Sequence, residues 1–246
     1  MQPSDSPVGR QTQPIPHALP LALLGQVAAW VLSLIVGLAF YDRATKQLNT
    51  SPGATAAMFV PLWVAFGATA YVVGKRRGEF PFGRRPYVKR RDGLWFLAGI
   101  AAQFVIGAIY LLLPVDTEKL GKPAREIFDR ANDNPVGIVL LGLAVGIGAP
   151  IMEELFYRGV IYRGFVLALD RRSGLVRRFA PMLLSALIFA AIHFQVLQSG
   201  ALFGVGLLCA IAYRKTDRIA SAIAVHAGFN LTSVVTLTIS LWTDKT

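Results

Sequence analysis

Long runs of apolar residues dominate the chain, and short polar or basic segments separate them. A helix needs about 20 consecutive apolar residues to cross a bilayer. The pattern therefore predicts an all-α fold, a polytopic bundle of about seven transmembrane helices with a range of six to eight. The seven predicted spans cover residues 18–41, 57–74, 93–113, 136–157, 181–194, 201–213 and 219–242.

The fifth and sixth runs are shorter than the others, so one of these two helices is expected to be tilted, re-entrant or buried in the bundle. A polar, Pro-rich tail, residues 1–17, precedes the first span and does not resemble a signal peptide. The connection between the third and fourth spans is the one sizeable outer loop. Its residues 123–131 are expected to form a short interfacial helix.

Composition agrees with this class of protein. Hydrophobic residues make up 54% of the chain and charged residues 16%, whereas soluble domains carry about 45–50% and about 25%. A soluble globular protein is therefore excluded. Cys209 is the only cysteine, which excludes a disulfide scaffold.

The net charge of +11 comes from basic residues in the connections between the runs. Alternate connections hold 18 and 7 of the 25 Lys and Arg residues, and the richer side of a membrane protein is cytoplasmic. This predicts a cytoplasmic N-terminus and an external C-terminus. No nucleic-acid motif accompanies the basic residues, so a nucleic-acid partner is not expected.

Ionisable residues inside an apolar span are costly and mark candidate functional sites. The first three predicted spans contain none, so the buried polar chemistry is expected in the second half of the chain. There, the fourth span carries two carboxylates and an arginine, the fifth a histidine, and the seventh a histidine and an asparagine. These residues are Glu153, Glu154, Arg158, His193, His226 and Asn230.

The spacing of these residues predicts their pairing. Glu154 and Arg158 are four positions apart, so they share a helix face and can form an ion pair. Glu153 is rotated by about 100° from Glu154 and need not compete for the same arginine. Pro150 removes a backbone donor and predicts a kink with free acceptors near Gly146. A plain helix crossing at small residues is the alternative explanation for the glycines there.

Three segments carry a resemblance to a known family. Residues 153–158 (EELFYR), 189–193 (FAAIH) and 226–230 (HAGFN) resemble the EExxxR, FxxxH and HxxxN motifs. These are motifs of the CPBP family of intramembrane proteases, which is related to type 2 CAAX prenyl proteases and includes the Abi and bacteriocin-processing proteins. The resemblance predicts three regions: the tail 1–17, N-terminal transmembrane helices 18–134 and a CPBP-like catalytic core 135–242.

The resemblance also implies roles for the site residues. Glu153 would activate a water for attack on a peptide carbonyl, and His193 would help to hold that water. His226 and Asn230 would stabilise the oxyanion or complete a metal site. Glu154 and Arg158 would have a structural or substrate-orienting role.

The cofactor stays open at this point. Glu153, His193 and His226 could bind Zn²⁺ and leave a position for water. A metal-free glutamate mechanism is favoured, because these three residues come from three separate helices. The zincin arrangement, with two histidines on one helix, is absent from the sequence.

The predicted function is an intramembrane endopeptidase that acts on a peptide or a membrane protein, with lipid as its surroundings. A non-catalytic membrane scaffold or regulator on the same fold is the alternative, and a proton-coupled transporter is a third. The expected location is a bacterial-type inner (plasma) membrane, with the active site open to the cytoplasm.

Overall fold

The computed structural model describes residues 17–42, 47–48, 51–76, 89–116, 119–131, 135–172 and 174–243. Within these ranges the regular structure is helical, apart from a two-residue antiparallel pair. In this pair, β1 (Tyr41–Asp42) lies beside β2 (Gln47–Leu48). The predicted all-α fold is confirmed. The predicted polar tail lies outside the described residues, except for His17.

Seven helices of the described chain are long and apolar enough to cross a membrane, as predicted. In chain order, the described residues form ten α-helices, which include the short α4 and the three segments of the fourth span. They are α1 (Ala18–Ala39), α2 (Pro52–Arg76), α3 (Asp92–Leu112), α4 (Lys122–Ala131), α5 (Pro135–Leu143), α6 (Ala149–Phe156), α7 (Arg163–Ala168), α8 (Gly174–Ala191), α9 (Ser199–Thr216) and α10 (Ile219–Thr243). Helices α5 to α7 form one span of 34 residues, Pro135–Ala168.

The spans that look short in the sequence are longer in the structure. The fifth contains 18 residues because α8 begins at Gly174 and holds Pro181 in its interior. The sixth contains 21 residues, Val196–Thr216, because a 3₁₀ turn precedes α9. The fourth continues past its predicted end at residue 157. At each of these ends the helix continues into polar residues, which the hydropathy pattern left outside the predicted span.

The fourth span contains two π-helical turns, at Ala144–Gly148 and at Tyr157–Tyr162, and α6 lies between them. The irregular backbone predicted ahead of Pro150 is therefore present as a π turn, a feature frequent at functional sites. Close helix packing is present as well. A Cβ atom on Gly146 would overlap the side chain of Leu231, and one on Gly148 would meet Trp63 at 2.5 Å.

Aromatic packing holds α6 in the centre of the bundle. Phe156 stacks on Phe66 of α2, with ring centroids 4.1 Å apart, and both side chains are buried. Outside this core, the predicted short helix over 123–131 is present as α4. Its Phe128 is buried against Leu141 and Leu241, so this helix packs on the bundle.

Two glycines bring α3 and α10 into backbone contact. A Cβ atom on Gly99 would overlap the carbonyl oxygen of Val225, and one on Gly228 would overlap that of Phe96. These carbonyls belong to backbone and cannot move aside as a flexible side chain can. The crossing therefore determines where α10 presents its polar residues to the rest of the bundle.

Replacement of Gly99 by alanine is expected to lower the free energy of unfolding by about 1–3 kcal/mol, the usual cost of overpacking. The matched control is Gly107→Ala in the same helix, where a Cβ atom meets nothing within 4 Å. That control should cost nothing, because alanine favours the helix over glycine. Unfolding of the purified protein in detergent measures both. Equal stability of the two variants would contradict the close crossing.

Candidate active site

The two glutamates of the fourth span lie on α6, and the arginine that follows them lies in the second π turn. Arg158 Nη1 donates to Glu154 Oε1 at 2.9 Å, and both side chains are 0% exposed. The predicted ion pair is confirmed. Burial of either charge alone is expensive, and the ion pair compensates both charges within the bundle.

Further contacts enclose the guanidinium group of Arg158. Its Nη2 donates to the carbonyl oxygen of Gly206 on α9 at 2.6 Å. Its Cζ lies 5.1 Å from the ring centroid of Phe189, within the range of a cation–π contact. Gly206 allows α9 to pack closely against α8, because a Cβ atom there would lie only 3.2 Å from the Phe189 ring. Arg158 thereby joins three spans.

His226 lies between the two glutamates. Its Nδ1 is 2.9 Å from Glu154 Oε1, and its Nε2 is 4.0 Å from Glu153 Oε2. An ionised carboxylate only accepts hydrogen bonds, so Nδ1 carries the hydrogen. Glu154 therefore accepts from both Arg158 and His226. Among the described residues, Glu153 has only the 4.0 Å approach to His226, and 13% of its side chain is exposed.

His193 lies in a turn just beyond the end of α8 at Ala191, rather than inside the helix as predicted. Its Nδ1 is 2.6 Å from the carbonyl oxygen of Phe189. Since a carbonyl accepts, Nδ1 is the donor, and Nε2 of the neutral ring is left as an acceptor. The next residue, Phe194, has a φ of 53°, which is rare for a bulky side chain.

Asn230 turns its amide towards the first π turn. Its Nδ2 donates to the carbonyl oxygen of Val145 at 2.9 Å. A π turn changes the helical hydrogen-bond ladder, and here a side chain from α10 bonds to one of its carbonyls. An amide nitrogen has two hydrogens, so one remains for another acceptor.

The predicted site residues thus fall into one direct cluster and two neighbours. In the cluster, Arg158 contacts Glu154, Glu154 contacts His226, and His226 approaches Glu153, with each of these three distances at 4.0 Å or less. The ring of Phe189 connects the two histidines, with centroids 4.8 Å from His193 and 5.5 Å from His226. Asn230 is connected to the fourth span through its hydrogen bond to the carbonyl oxygen of Val145.

Sequence reasoning missed several residues of this region. The sulfur of Cys209 on α9 lies within 4.8 Å of ligand atoms of Glu154 and His226. Tyr157 donates its hydroxyl hydrogen to Gln26 Oε1 of α1 at 2.8 Å. Gln26 was visible as a single amide in the first apolar run. Together with the buried Asp92 at the start of α3, it shows that the expectation of buried polar chemistry in the second half alone was wrong.

The donor atoms fit a metal poorly. Glu154, Cys209 and His226 form the one group of three potential ligands within 4.8 Å in the described chain, and carboxylate, thiolate and imidazole are zinc ligands. However, Glu154 Oε1 already accepts from the Arg158 guanidinium and from His226 Nδ1. A cation at that oxygen would have to displace one donor, and a cation at Oε2 of Glu154, which is buried without a hydrogen-bond partner among the described residues, would still lie beside the positive charge of Arg158.

A cavity of about 540 Å³ adjoins this region. Phe229, the neighbour of Asn230, and Gln195, two residues after His193, contribute to its wall, whereas none of the six predicted site residues lines it. From there it extends along α3 and α10 to Arg125 and Ser240, near the C-terminal end of α10. Most of the wall is apolar, with amide and hydroxyl groups at intervals.

Seven apolar helices around the buried Glu154, Arg158 and His226 define the class: an integral membrane protein with a polar site inside its helix bundle. Residues 135–232 match a family model described as type II CAAX prenyl endopeptidase, Rce1-like. This confirms the resemblance to the CPBP intramembrane proteases, and the matched segment contains all six predicted site residues. No match was found among curated proteins or solved structures. At family level, these findings support a CAAX-protease-like intramembrane protease.

Proposed function

We propose that this protein is an intramembrane endopeptidase in which Glu153 is the general base. One observation carries the proposal: two adjacent glutamates have different environments. Glu154 is fully buried and bonded to Arg158 and His226. Glu153 is partly exposed and lies 4.0 Å from His226 Nε2. Glu153 is therefore the carboxylate that can accept a proton.

In the proposed reaction, Glu153 removes a proton from water while the water oxygen bonds to the peptide carbonyl carbon. The carbonyl oxygen becomes an oxyanion. When the intermediate collapses, the C–N bond breaks and the proton passes to the leaving amine. General-base catalysis of this kind contributes about 10²–10⁴-fold to a rate.

The histidines and Asn230 can support this reaction. His193 has Nε2 available as an acceptor, which suits the holding of the water. Asn230 keeps one N–H beyond its bond to Val145, and such donors stabilise a developing oxyanion. Glu154 and Arg158 position His226, because the Nδ1–H of this residue bonds to Glu154.

We expect cleavage to be independent of metal, because Arg158 and His226 already occupy Glu154 Oε1. A chelator should leave the initial rate of the purified protein within about twofold, and metal analysis should show less than one bound ion per chain. A zinc endopeptidase of known chelator sensitivity, reconstituted in the same vesicles, is the control. Loss of cleavage on chelation, with recovery on adding Zn²⁺, would contradict this prediction.

The proposal as a whole is tested by incubating the reconstituted protein with a library of quenched fluorescent peptides. Mass spectrometry of the products identifies hydrolysis at defined bonds. A scaffold or regulator would give no products, and a proton-coupled transporter would acidify vesicles without any cleavage. The substrate is proposed only as a peptide or a membrane-protein segment.

We propose the orientation with a cytoplasmic N-terminus, since the basic connections gather at one end of the bundle. In a Cys209→Ala background, cysteines at Arg91 and Arg172 should resist an impermeant maleimide in intact cells. A cysteine at Glu126 of α4 should react. Reversal of this result would overturn the orientation. The cavity near Ser240 points away from the basic end, so cytoplasmic access to the site stays a prediction.

A further inference from the structure

A second pocket, lined by basic and apolar side chains, lies at the end of the bundle where α3 begins, α9 ends and α10 begins. Its volume is about 770 Å³. Positively charged side chains from two separate connections line it: Lys89, Arg90, Arg91, Lys215 and Arg218. None of the candidate active-site residues lines this pocket, and the proposed peptidase reaction does not use it.

The base of the pocket is built from buried residues. Arg218 is 5% exposed and forms an ion pair with Asp92, which is 3% exposed. Ser221 donates its hydroxyl hydrogen to Asp92 Oδ1 at 2.6 Å, and the backbone N–H of Lys89 donates to Oδ2 at 2.7 Å. These bonds join the start of α3 to the start of α10 at the base of the pocket.

The charge of the pocket is strongly positive. Asp92 is the one carboxylate among its described lining residues, and Arg218 balances it. Lys89, Arg90, Arg91 and Lys215 are exposed around the rim. Asp217 in the adjoining turn is also exposed and is not part of the lining. A surplus of positive charge therefore faces whatever enters the pocket.

One wall of the pocket is apolar and continues onto the outer surface of α3. Leu94 is 68% exposed and lines the pocket with Trp95 and Ala98, and Leu97 is 58% exposed one turn further on. Only 6% of the apolar window of α3 is buried inside the structure, so this helix faces lipid. Trp95 lies near the helix end, where tryptophan is enriched at membrane interfaces.

We propose that this pocket binds the phosphate of an anionic phospholipid headgroup. Basic pockets between transmembrane helices at the cytoplasmic side bind such headgroups. The cationic rim would contact the phosphate, and the acyl chains would lie along the apolar surface of α3. A free phosphate ion would contact the cationic rim but not the apolar surface of α3. This difference distinguishes a lipid headgroup from free phosphate.

The test uses the full-length protein in nanodiscs of phosphatidylcholine that contain one-tenth phosphatidylglycerol. Native mass spectrometry counts the phosphatidylglycerol molecules retained on release. A triple variant, Lys89→Gln, Arg90→Gln and Lys215→Gln, removes three rim charges. The matched control, Arg171→Gln, Arg172→Gln and Arg178→Gln, removes three charges from the other basic connection at the same end.

Each basic residue near an anionic surface is worth about a fivefold gain in binding. Since three such residues are removed, the rim variant should retain phosphatidylglycerol about 100-fold more weakly than the native protein, while the control stays within about threefold. Thermal unfolding checks that both variants fold. Equal loss in both variants would show general attraction to the membrane and overturn the pocket. The headgroup assignment would be overturned if the pocket bound millimolar inorganic phosphate in nanodiscs of pure phosphatidylcholine and showed no preference for phosphatidylglycerol.

Discussion

Replacement of Glu153 by glutamine is expected to reduce the rate of peptide cleavage by about 10²–10⁴-fold, the range for loss of a general base. Glutamine keeps the size and shape of the side chain, yet it cannot take a proton from water. Because Glu153 is outside the buried ion pair, the fold should survive. Initial rates on the cleaved peptide, together with a thermal unfolding curve, measure the two effects separately.

The control for this experiment is Glu126→Gln on α4, where the carboxylate is exposed and lies 4.0 Å from the Lys122 ammonium group. This change removes the same charge outside the site and should leave the rate unaltered. A Glu153→Gln protein that cleaves at the native rate would rule out the proposed base. An equal loss in both variants would point to a general effect of charge on the membrane-bound enzyme.

The second large effect is expected from Arg158→Gln, which should destabilise the fold by about 3–5 kcal/mol, the cost of leaving a buried partner charge uncompensated. The guanidinium group bonds to Glu154 and to the Gly206 carbonyl with no access to solvent. Glutamine cannot supply a positive charge to either. Equilibrium unfolding in detergent measures the loss.

A double variant, Glu154→Gln with Arg158→Gln, should recover part of that stability, because it removes the isolated charge as well as its partner. The exposed pair Arg177–Asp170, with N–O distance 3.2 Å, provides the matched comparison. Arg177→Gln should cost about 0–1 kcal/mol, as surface pairs do. If the buried and exposed replacements had equal effects, the ion pair at Arg158 would not hold the bundle together.

Much of this architecture was predictable from the sequence, for physical reasons. Apolar runs report the spans directly, since a bilayer excludes charged side chains from a helix surface. The i, i+4 spacing of Glu154 and Arg158 predicted their bond. It worked because the residues remain on one continuous helix, even where that helix changes from α to π geometry.

Other features depend on contacts between distant parts of the chain. The bond from Tyr157 to Gln26 spans 131 positions, and that from Ser221 to Asp92 spans 129. No local pattern distinguishes a glutamine that meets a tyrosine from one that faces another helix. Asp92 follows a basic segment and lies just outside the predicted third span, so the hydropathy pattern gives no sign that its side chain is buried. The placement of Cys209 near Glu154 likewise requires the α9 packing, which hydropathy does not contain.

The two π turns around α6 have a consequence for how this site can change over evolution. Each π turn accommodates one more residue than an α-helical turn, so loss of one residue there could restore regular α geometry without shortening the span below membrane thickness. Because the wider turn absorbs the added residue, the segments on either side would keep nearly their present orientation after such a deletion. A single-codon deletion or insertion at a π turn would therefore change the local pattern of backbone carbonyls, such as the Val145 carbonyl that bonds to Asn230, while the carboxylates keep their direction and the surrounding bundle persists.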